Sequence, residues 1–390
     1  MKPWLGITWS ISNRFGWGIY GLNLVLELLK RESPAPVCFG DIVTDTLDDD
    51  LVQKLQPAIQ FQQQNLQGFY KMGQTAKLGD AMVLHALGNG MDWSMVSQGV
   101  EGDLNAGVIF FEYSEISIDG RQRLSRLNGT VAGSTWNADV LKSWGIPNVE
   151  TVFQGVDINL FRPITRTNAY EGKFAVFSGG KLDFRKGQDI VLAAFKRFAE
   201  SHPDAVLVTA WQNLWPLTAL PMKFSPHTQT LPDIRPDGSM NLQKWAAEHG
   251  VPAEQFIDLG MQPNAKMPDI LKDMDLAIFP NRCEGGTNLV AMETMACGIP
   301  CVLSENTGHL DLTADDRGYV LHSQRRVDAN ALATDGWGES DVDELVACME
   351  AAYDDRQNAR DRGQAAANFM KTWAWPNQID KLMTSLDNFS

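Results

Sequence analysis

A chain of 390 residues with 44% hydrophobic content is long enough for two cores rather than one. Its formal charge of −15 argues against nucleic acid or an anionic bilayer as partner, because both reward clustered Lys and Arg. Five cysteines, Cys38, Cys283, Cys297, Cys301 and Cys348, contain no Cys-x-x-Cys pair, so neither a disulfide framework nor a zinc site is expected, and a reducing cytoplasm fits best.

Taken in chain order, Trp4 to Ser10 reads as a first strand, not as a signal peptide. A glycine-rich loop follows, then an apolar-periodic helix from Leu22 to Lys30. Gly16, Gly18 and Gly21 match Gly-x-Gly-x-x-Gly, and Asp41 follows at about the interval of a ribose-binding acid. The loop therefore has three readings: a structural turn, a diphosphate loop, or the dinucleotide loop of an NAD-dependent oxidoreductase. Asp48 to Lys77 is polar and loosely helical. Ala81 to Leu84 reads as a strand ending at His85, and Gly107 to Phe111 as one ending at Glu112. A strand end puts both side chains where a ligand could meet them; the alternative for His85 is a histidine that only completes a hydrogen-bond pattern. Ser134 and Asn137 suit the cap of the next helix.

Thr151 to Pro163 reads as strand, turn at Gly155 and exit, and polar Thr165 to Gly172 as a linker, with a boundary near residue 168. Phe174 to Ser178 opens a second α/β domain. Lys181, Arg185 and Lys186 then gather positive charge after a strand end, before an amphipathic helix from Gln188 to Glu200. Asp204 to Trp211 is the next strand, and Gln212 to Ser239 a long Pro-rich loop of unassigned role. Leu276 to Phe279 is a buried strand stopped by Pro280. Beyond it, Gly285 and Gly286 let backbone approach a ligand, and Thr287 or Asn288 can cap a helix that stops at Gly298 before Pro300. The first turn of such a helix, at the carboxyl end of a strand, suits a phosphate. Glu284 and Glu293 flank it and suit hydroxyl groups, so a nucleotide-sugar is one reading; a capped helix with solvated glutamates is the other. Trp337 to Ala352, Gln357 to Met370 and Ile379 to Leu386 complete the helices, with a break at Trp373-Ala-Trp-Pro. No window holds ~18 uninterrupted apolar residues, so no transmembrane span is expected; peripheral membrane contact through an apolar patch stays open.

Glu293 to Pro300, Glu-Thr-Met-Ala-Cys-Gly-Ile-Pro, resembles the donor-binding signature of the GT4-type retaining glycosyltransferases, glycosyl transferases group 1. Phe111-Glu112, the Gln154-Gly-Val-Asp to Pro163 segment and the Gly179 to Gly187 loop are similar to further segments of that family. Glu284 and Glu293 are one residue farther apart than is usual there, Lys181 replaces the usual Arg, and Glu112 stands where other members carry a histidine. The resemblance implies an α/β GT-B fold, two doubly wound parallel-sheet Rossmann-like domains facing a central cleft. It implies an acceptor-side domain over residues 1–168, a donor domain over 169–372 and a terminal helix over 373–390 crossing back to the first domain. It also implies metal-independent, retaining transfer of a sugar from a nucleotide-sugar to a glycan, lipid or small-molecule acceptor, with no cofactor. Lys181 and Lys186 would grip the diphosphate, Glu284 would hold sugar hydroxyls, and His85 or Glu112 would orient sugar or acceptor. Gly16, Gly18, Gly180, Gly286, Thr287, Asn288 and Leu289 would line the donor, and Glu293 would take the ribose. A catalytically silent nucleotide-sugar-binding protein is the remaining alternative.

Overall fold

The computed structural model describes residues 3–66, 75–328 and 333–389. By internal packing the chain divides into two units, Met1–Gly155 with Trp373–Ser390, and Val156–Thr372.

The first unit alternates strands and helices: β1 (Trp4–Ile7), α1 (Gly16–Leu28), β2 (Ala35–Cys38), α2 (Asp49–Asn65), β3 (Ala76–Leu87), α3 (Met95–Gln98), β4 (Val100–Ile109), α4 (Ile118–Leu124), β5 (Gly129–Ala132), α5 (Thr135–Ser143) and β6 (Val149–Thr151). Its six strands are parallel in the order β2-β1-β3-β4-β5-β6. The second unit continues with β7 (Phe174–Gly179), α6 (Gln188–Ser201), β8 (Ala205–Ala210), α7 (Leu242–Glu248), β9 (Phe256–Asp258), α8 (Met267–Leu271), β10 (Leu276–Phe279), α9 (Leu289–Ala296), β11 (Cys301–Ser304), β12 (Tyr319–Leu321), an antiparallel hairpin of β13 (Gln324–Arg326) and β14 (Gly338–Ser340), α10 (Val342–Asp354) and α11 (Arg356–Met370). Its main sheet is again six parallel strands, ordered β12-β11-β10-β7-β8-β9. Strands such as Phe-Ala-Val-Phe-Ser-Gly of β7 are buried on both faces, which is why they read as continuous apolar runs.

Chain order reverses beside β1 in one sheet and beside β7 in the other. The helices that follow β7 and β10 therefore lead away in opposite directions along the sheet, and this switch point is where ligands commonly bind in open α/β sheets. The terminal helix α12 (Trp375–Asn388) packs on the first unit, burying Trp375, Ile379, Leu382, Met383 and Leu386 at helical spacing, with Trp375 stacked 5.5 Å from Tyr20.

Several elements differ from the sequence reading. Helix α1 begins at Gly16, so Gly16, Gly18 and Gly21 form helix rather than a loop. A Cβ at Gly18 would lie 2.8 Å from the Ser12 backbone oxygen, and one at Gly21 would lie 2.8 Å from the Trp9 ring. These two glycines seat α1 against the segment after β1, which accounts for the motif without a dinucleotide. Strand β3 runs past His85 to Leu87, so His85 lies within the sheet. Trp337 precedes strand β14 instead of starting a helix. The long loop carries a 3₁₀ segment, Pro216–Phe224. Of the polar Asp48 to Lys77 stretch, residues 67–74 lie outside the described residues.

A contrast tests the packing role. Gly18→Ala should destabilise the protein by about 1–3 kcal/mol through overpacking. Gly16→Ala, with nothing within 4 Å of the new methyl, should be neutral or gain up to ~1 kcal/mol. Urea unfolding of the two variants decides it; equal effects would contradict the account.

Candidate active site

The switch point beside β7 is built by close backbone approach. Gly187 ends the β7 loop at φ +71°, and a Cβ there would fall 2.2 Å from the Pro280 carbonyl oxygen, so only glycine lets the two loops touch. The Arg282 amide donates to the Arg185 carbonyl at 2.7 Å, joining the loops. From the loop after β11, the Gly308 amide donates to the Glu284 carbonyl at 3.0 Å, and a Cβ at Gly308 would stand 1.6 Å from the Gly286 oxygen.

Glu284 sits at the centre of this arrangement and is buried. Lys186 Nζ donates to its Oε1 at 2.6 Å, Arg185 Nη1 to its Oε2 at 2.8 Å, and the Asn281 side-chain amide to Oε1. Burial alone would raise this carboxyl, but Lys186 and Arg185 outweigh it and hold it at about 2. Burial lowers the Lys186 ammonium, with Glu284 opposing. Lys181 stands apart at the rim, 34% exposed, with Nζ 3.3 Å from Asp183. Gly180, at φ +100°, leaves open space with Lys186 Cε as its nearest neighbour at 3.9 Å.

The opening of α9 departs from the expected cap. Asn288 is the N-cap residue but takes a left-handed φ of 60°, and its side chain makes no capping bond. Its amide donates instead to His309 Nε2 at 3.0 Å. That fixes the tautomer, so His309 Nδ1–H donates to Ser304 Oγ at 3.0 Å, and Ser304 donates to the Asn281 carbonyl at 2.7 Å. Burial lowers His309 to about 4, which keeps it neutral and fit for this chain of bonds. The Thr287 hydroxyl turns to Met292 Sδ at 3.0 Å, so it does not cap the helix either. With neither side chain closing it, the first turn at Leu289 keeps the amide-rich end that favours an anion.

Glu293, in mid-helix, is buried and accepts from Asn264 Nδ2 at 2.9 Å. Burial pushes it up to about 8, so at neutral pH it holds a proton. One helix thus follows an ionised glutamate in its entry loop and carries a neutral one.

Beneath the site lies a residue the sequence reading missed. Arg282 is fully buried; its Nη1 and Nη2 donate to Asp189 at 2.8 and 2.5 Å, its Nε to Glu339 at 3.1 Å, and Nη1 also to the Phe184 carbonyl at 2.7 Å. Asp189, in the first turn of α6, also accepts from Ser225. The sequence signal was an Arg two positions before Glu284. Arg185, read only as part of a charge cluster, is a direct partner of Glu284.

The other candidates lie in the first unit. Gly16 and Gly18 belong to α1. His85 is fully buried, stacked 4.6 Å from Trp93, with Nε2 3.2 Å from Asn105, and burial lowers its pKa. This corrects its reading as a strand-end group: His85 lies inside β3 with its side chain buried. Glu112 follows β4 and is part-buried, accepting from Asn89 Nδ2 at 2.7 Å. Ser134 caps α5 as expected, while Asn137 bonds the Phe111 backbone. Among the described residues no cluster of three His, Cys, Asp or Glu side chains is arranged to hold a metal, and no helix is long and apolar enough to cross a membrane.

Stability should report both glutamates, with opposite signs. Unfolded, each carboxyl ionises near ~4.3. Glu293 keeps its proton in the folded state up to about 8, so between these values stability falls as pH rises. Glu293→Gln should remove that loss, flattening the pH dependence between about pH 5 and 8 by on the order of a few kcal/mol. Glu284 behaves conversely: its contribution is present above ~4.3 and lost as pH falls toward about 2. Urea denaturation across pH checks both, and an unchanged slope in Glu293→Gln would contradict the assignment.

Residues 164–355 match the sequence profile of the glycosyl transferases group 1 family. D-inositol 3-phosphate glycosyltransferase of Mycobacterium marinum is 28% identical over 244 residues, 61% of this chain and 44% of that protein. Phosphatidyl-myo-inositol mannosyltransferase of Propionibacterium freudenreichii is 24% identical over 205 residues, 52% of this chain and 45% of that protein. The chain thus spans less than half the length of these curated relatives. Sucrose-phosphate synthase of Thermosynechococcus elongatus superposes with a TM-score of 0.66 at 14% identity, covering 99% of this chain and all of that one. Anabaena HepE, solved with UDP and glucose, superposes with a TM-score of 0.63 at 13% identity, covering 99% of each. Residues 164–355 are thus similar to the glycosyl transferases group 1 family, and with its two six-stranded parallel sheets the chain has the GT-B fold.

Proposed function

We propose that this chain transfers a sugar from a nucleotide-sugar to an acceptor hydroxyl, with retained anomeric configuration and without a metal ion. The observation that carries the reading is the Arg185–Lys186–Glu284 cluster, lodged at the switch point between β7 and β10 and beside the uncapped start of α9. Counted with its neighbours, the cluster holds three cations, Lys181, Arg185 and Lys186, against two carboxylates, Asp183 and Glu284, a net positive charge inside a chain of −15. A diphosphate supplies the missing negative charge. HepE is solved with UDP and with UDP-glucose, which supports a nucleoside diphosphate at this kind of fold.

The roles follow from chemistry. Lys186, Arg185 and the amides at Thr287, Asn288 and Leu289 take the diphosphate, with Lys181 adding charge from the rim; Gly180 and Gly286 leave room for it. As the cations shift their hydrogen bonds to phosphate, the oxygens of Glu284 become acceptors for sugar hydroxyls. Glu293, neutral before binding, can donate to or accept from the ribose. In the reaction the bond from the anomeric carbon to the diphosphate oxygen breaks and a bond to the acceptor oxygen forms on the same face. The acceptor's proton ends on the diphosphate. Preorganised cations stabilise the charge that develops on the leaving group. In the first unit, Glu112 is suited to take a hydrogen bond from an acceptor hydroxyl.

Turnover of a panel of labelled nucleotide-sugars, with the product anomer read by NMR, tests the proposal. Lys186→Ala should lower kcat by about 10²–10³-fold. An inverted product would end the retaining reading, and unchanged kcat in Lys186→Ala would end the role given to the cluster.

A further inference from the structure

We propose that a pocket at the amino edge of the second sheet binds a small organic anion, a phosphate monoester or carboxylate carrying a short hydrocarbon part. The pocket has a volume of about 210 Å³ and is lined where β7, β10 and β11 begin, by Phe174, Asp275 and Pro300 among others. The donor loops leave the opposite, carboxyl edge of the same sheet, so the proposed function makes no use of it.

Charge points to the ligand's head. Arg166, Lys272, Arg356 and Arg360 line the pocket, against Asp275 as the one lining acid among the described residues. Asp275 is already committed: Oδ1 accepts from Arg166 at 2.8 Å and Oδ2 from the Ala175 amide at 2.9 Å. Arg356 lies over Phe174 and Tyr353, at 4.9 and 4.6 Å from their centroids, with Asp204 at 3.6 Å. Lys272 meets Asp269, and Arg360 meets only the neutral Gln357 in the bonds seen here. Such a concentration of cations is unexpected on a chain of −15.

Position sharpens the argument. Arg356 and Arg360 occupy the first two turns of α11, the end of a helix where positive charge is disfavoured and an anion is favoured. Asp355 caps that end through the Asn358 amide, while Arg356 and Arg360 both line the pocket. An anion held by both would offset the cost, and guanidinium pairs suit carboxylate and phosphate oxygens. The floor is apolar, made by Ile164, Phe174, Met274 and Ile299. Inorganic phosphate would leave that surface wet, which is why the ligand carries a hydrocarbon part.

Titration calorimetry on the full chain, with and without saturating UDP, tests this with butyl phosphate, pentanoate, inorganic phosphate and butanol as probes. Butyl phosphate and pentanoate should bind whether or not UDP is present. Inorganic phosphate should bind at least tenfold more weakly than butyl phosphate, and butanol should not bind. Arg360→Glu, at an exposed position, should weaken butyl phosphate at least tenfold while the melting temperature and UDP binding hold. Should that variant unfold, Arg356→Gln serves in its place with the same expectation. No saturable binding of either organic anion, or butyl phosphate binding that both variants leave intact or that UDP abolishes, would overturn the proposal.

Discussion

Everything at the carboxyl edge of the second sheet depends on one buried carboxylate held between two cations. Glu284 accepts from Lys186 and Arg185 at hydrogen-bond distance with almost no water to share the load. Removing one partner of such a buried pair usually costs about 3–5 kcal/mol, because the other charge is left uncompensated. Counted with Lys181 and Asp183, the cluster stays one negative charge short of neutral. In the proposed reading that excess attracts a diphosphate first, and the cations then shift their hydrogen bonds to it.

The cluster holds its geometry through contacts beneath and beside it. Arg282 fastens the β10 loop to α6 through Asp189 and to the β13–β14 hairpin through Glu339, while its amide fixes the Arg185 carbonyl. On the other flank, the bonds from Asn288 through His309 and Ser304 to Asn281 fix both ends of the glycine-containing loop. Neutral His309 is essential to that series, since a protonated ring could not accept from Asn288. A left-handed turn at Asn288 leads into α9, on which Glu293 is buried.

Much of this was legible in the sequence, because parallel strands buried on both faces announce themselves as apolar runs. The stop at Pro280, the paired glycines and the Glu-Thr-Met-Ala-Cys-Gly-Ile-Pro ending also carry their own geometry. What could not be read was tertiary. Gly16, Gly18 and Gly21 fit a ligand-loop pattern, yet Gly18 and Gly21 are there so that α1 can touch Ser12 and Trp9, neighbours no local pattern predicts. His85 looked like the end of a strand, but β3 gains two more residues by pairing with β4 through Ala86↔Val108 and Leu87↔Ile109, which buries it. The capping roles expected of Thr287 and Asn288 failed because Met292, on the helix itself, and His309, brought in by folding, take their side chains. Arg282 gave only a weak signal, since a buried arginine is recognisable only once Asp189 and Glu339 are seen beside it.

The most direct test of the central claim is a calorimetric comparison of UDP, UMP and uridine on the wild-type chain at two ionic strengths. If the positive excess around Glu284 is the receptor for a diphosphate, affinity should rise steeply from nucleoside to diphosphate, with UDP the most salt-sensitive of the three. Equal affinities for UDP and uridine, or UDP binding indifferent to salt, would contradict it.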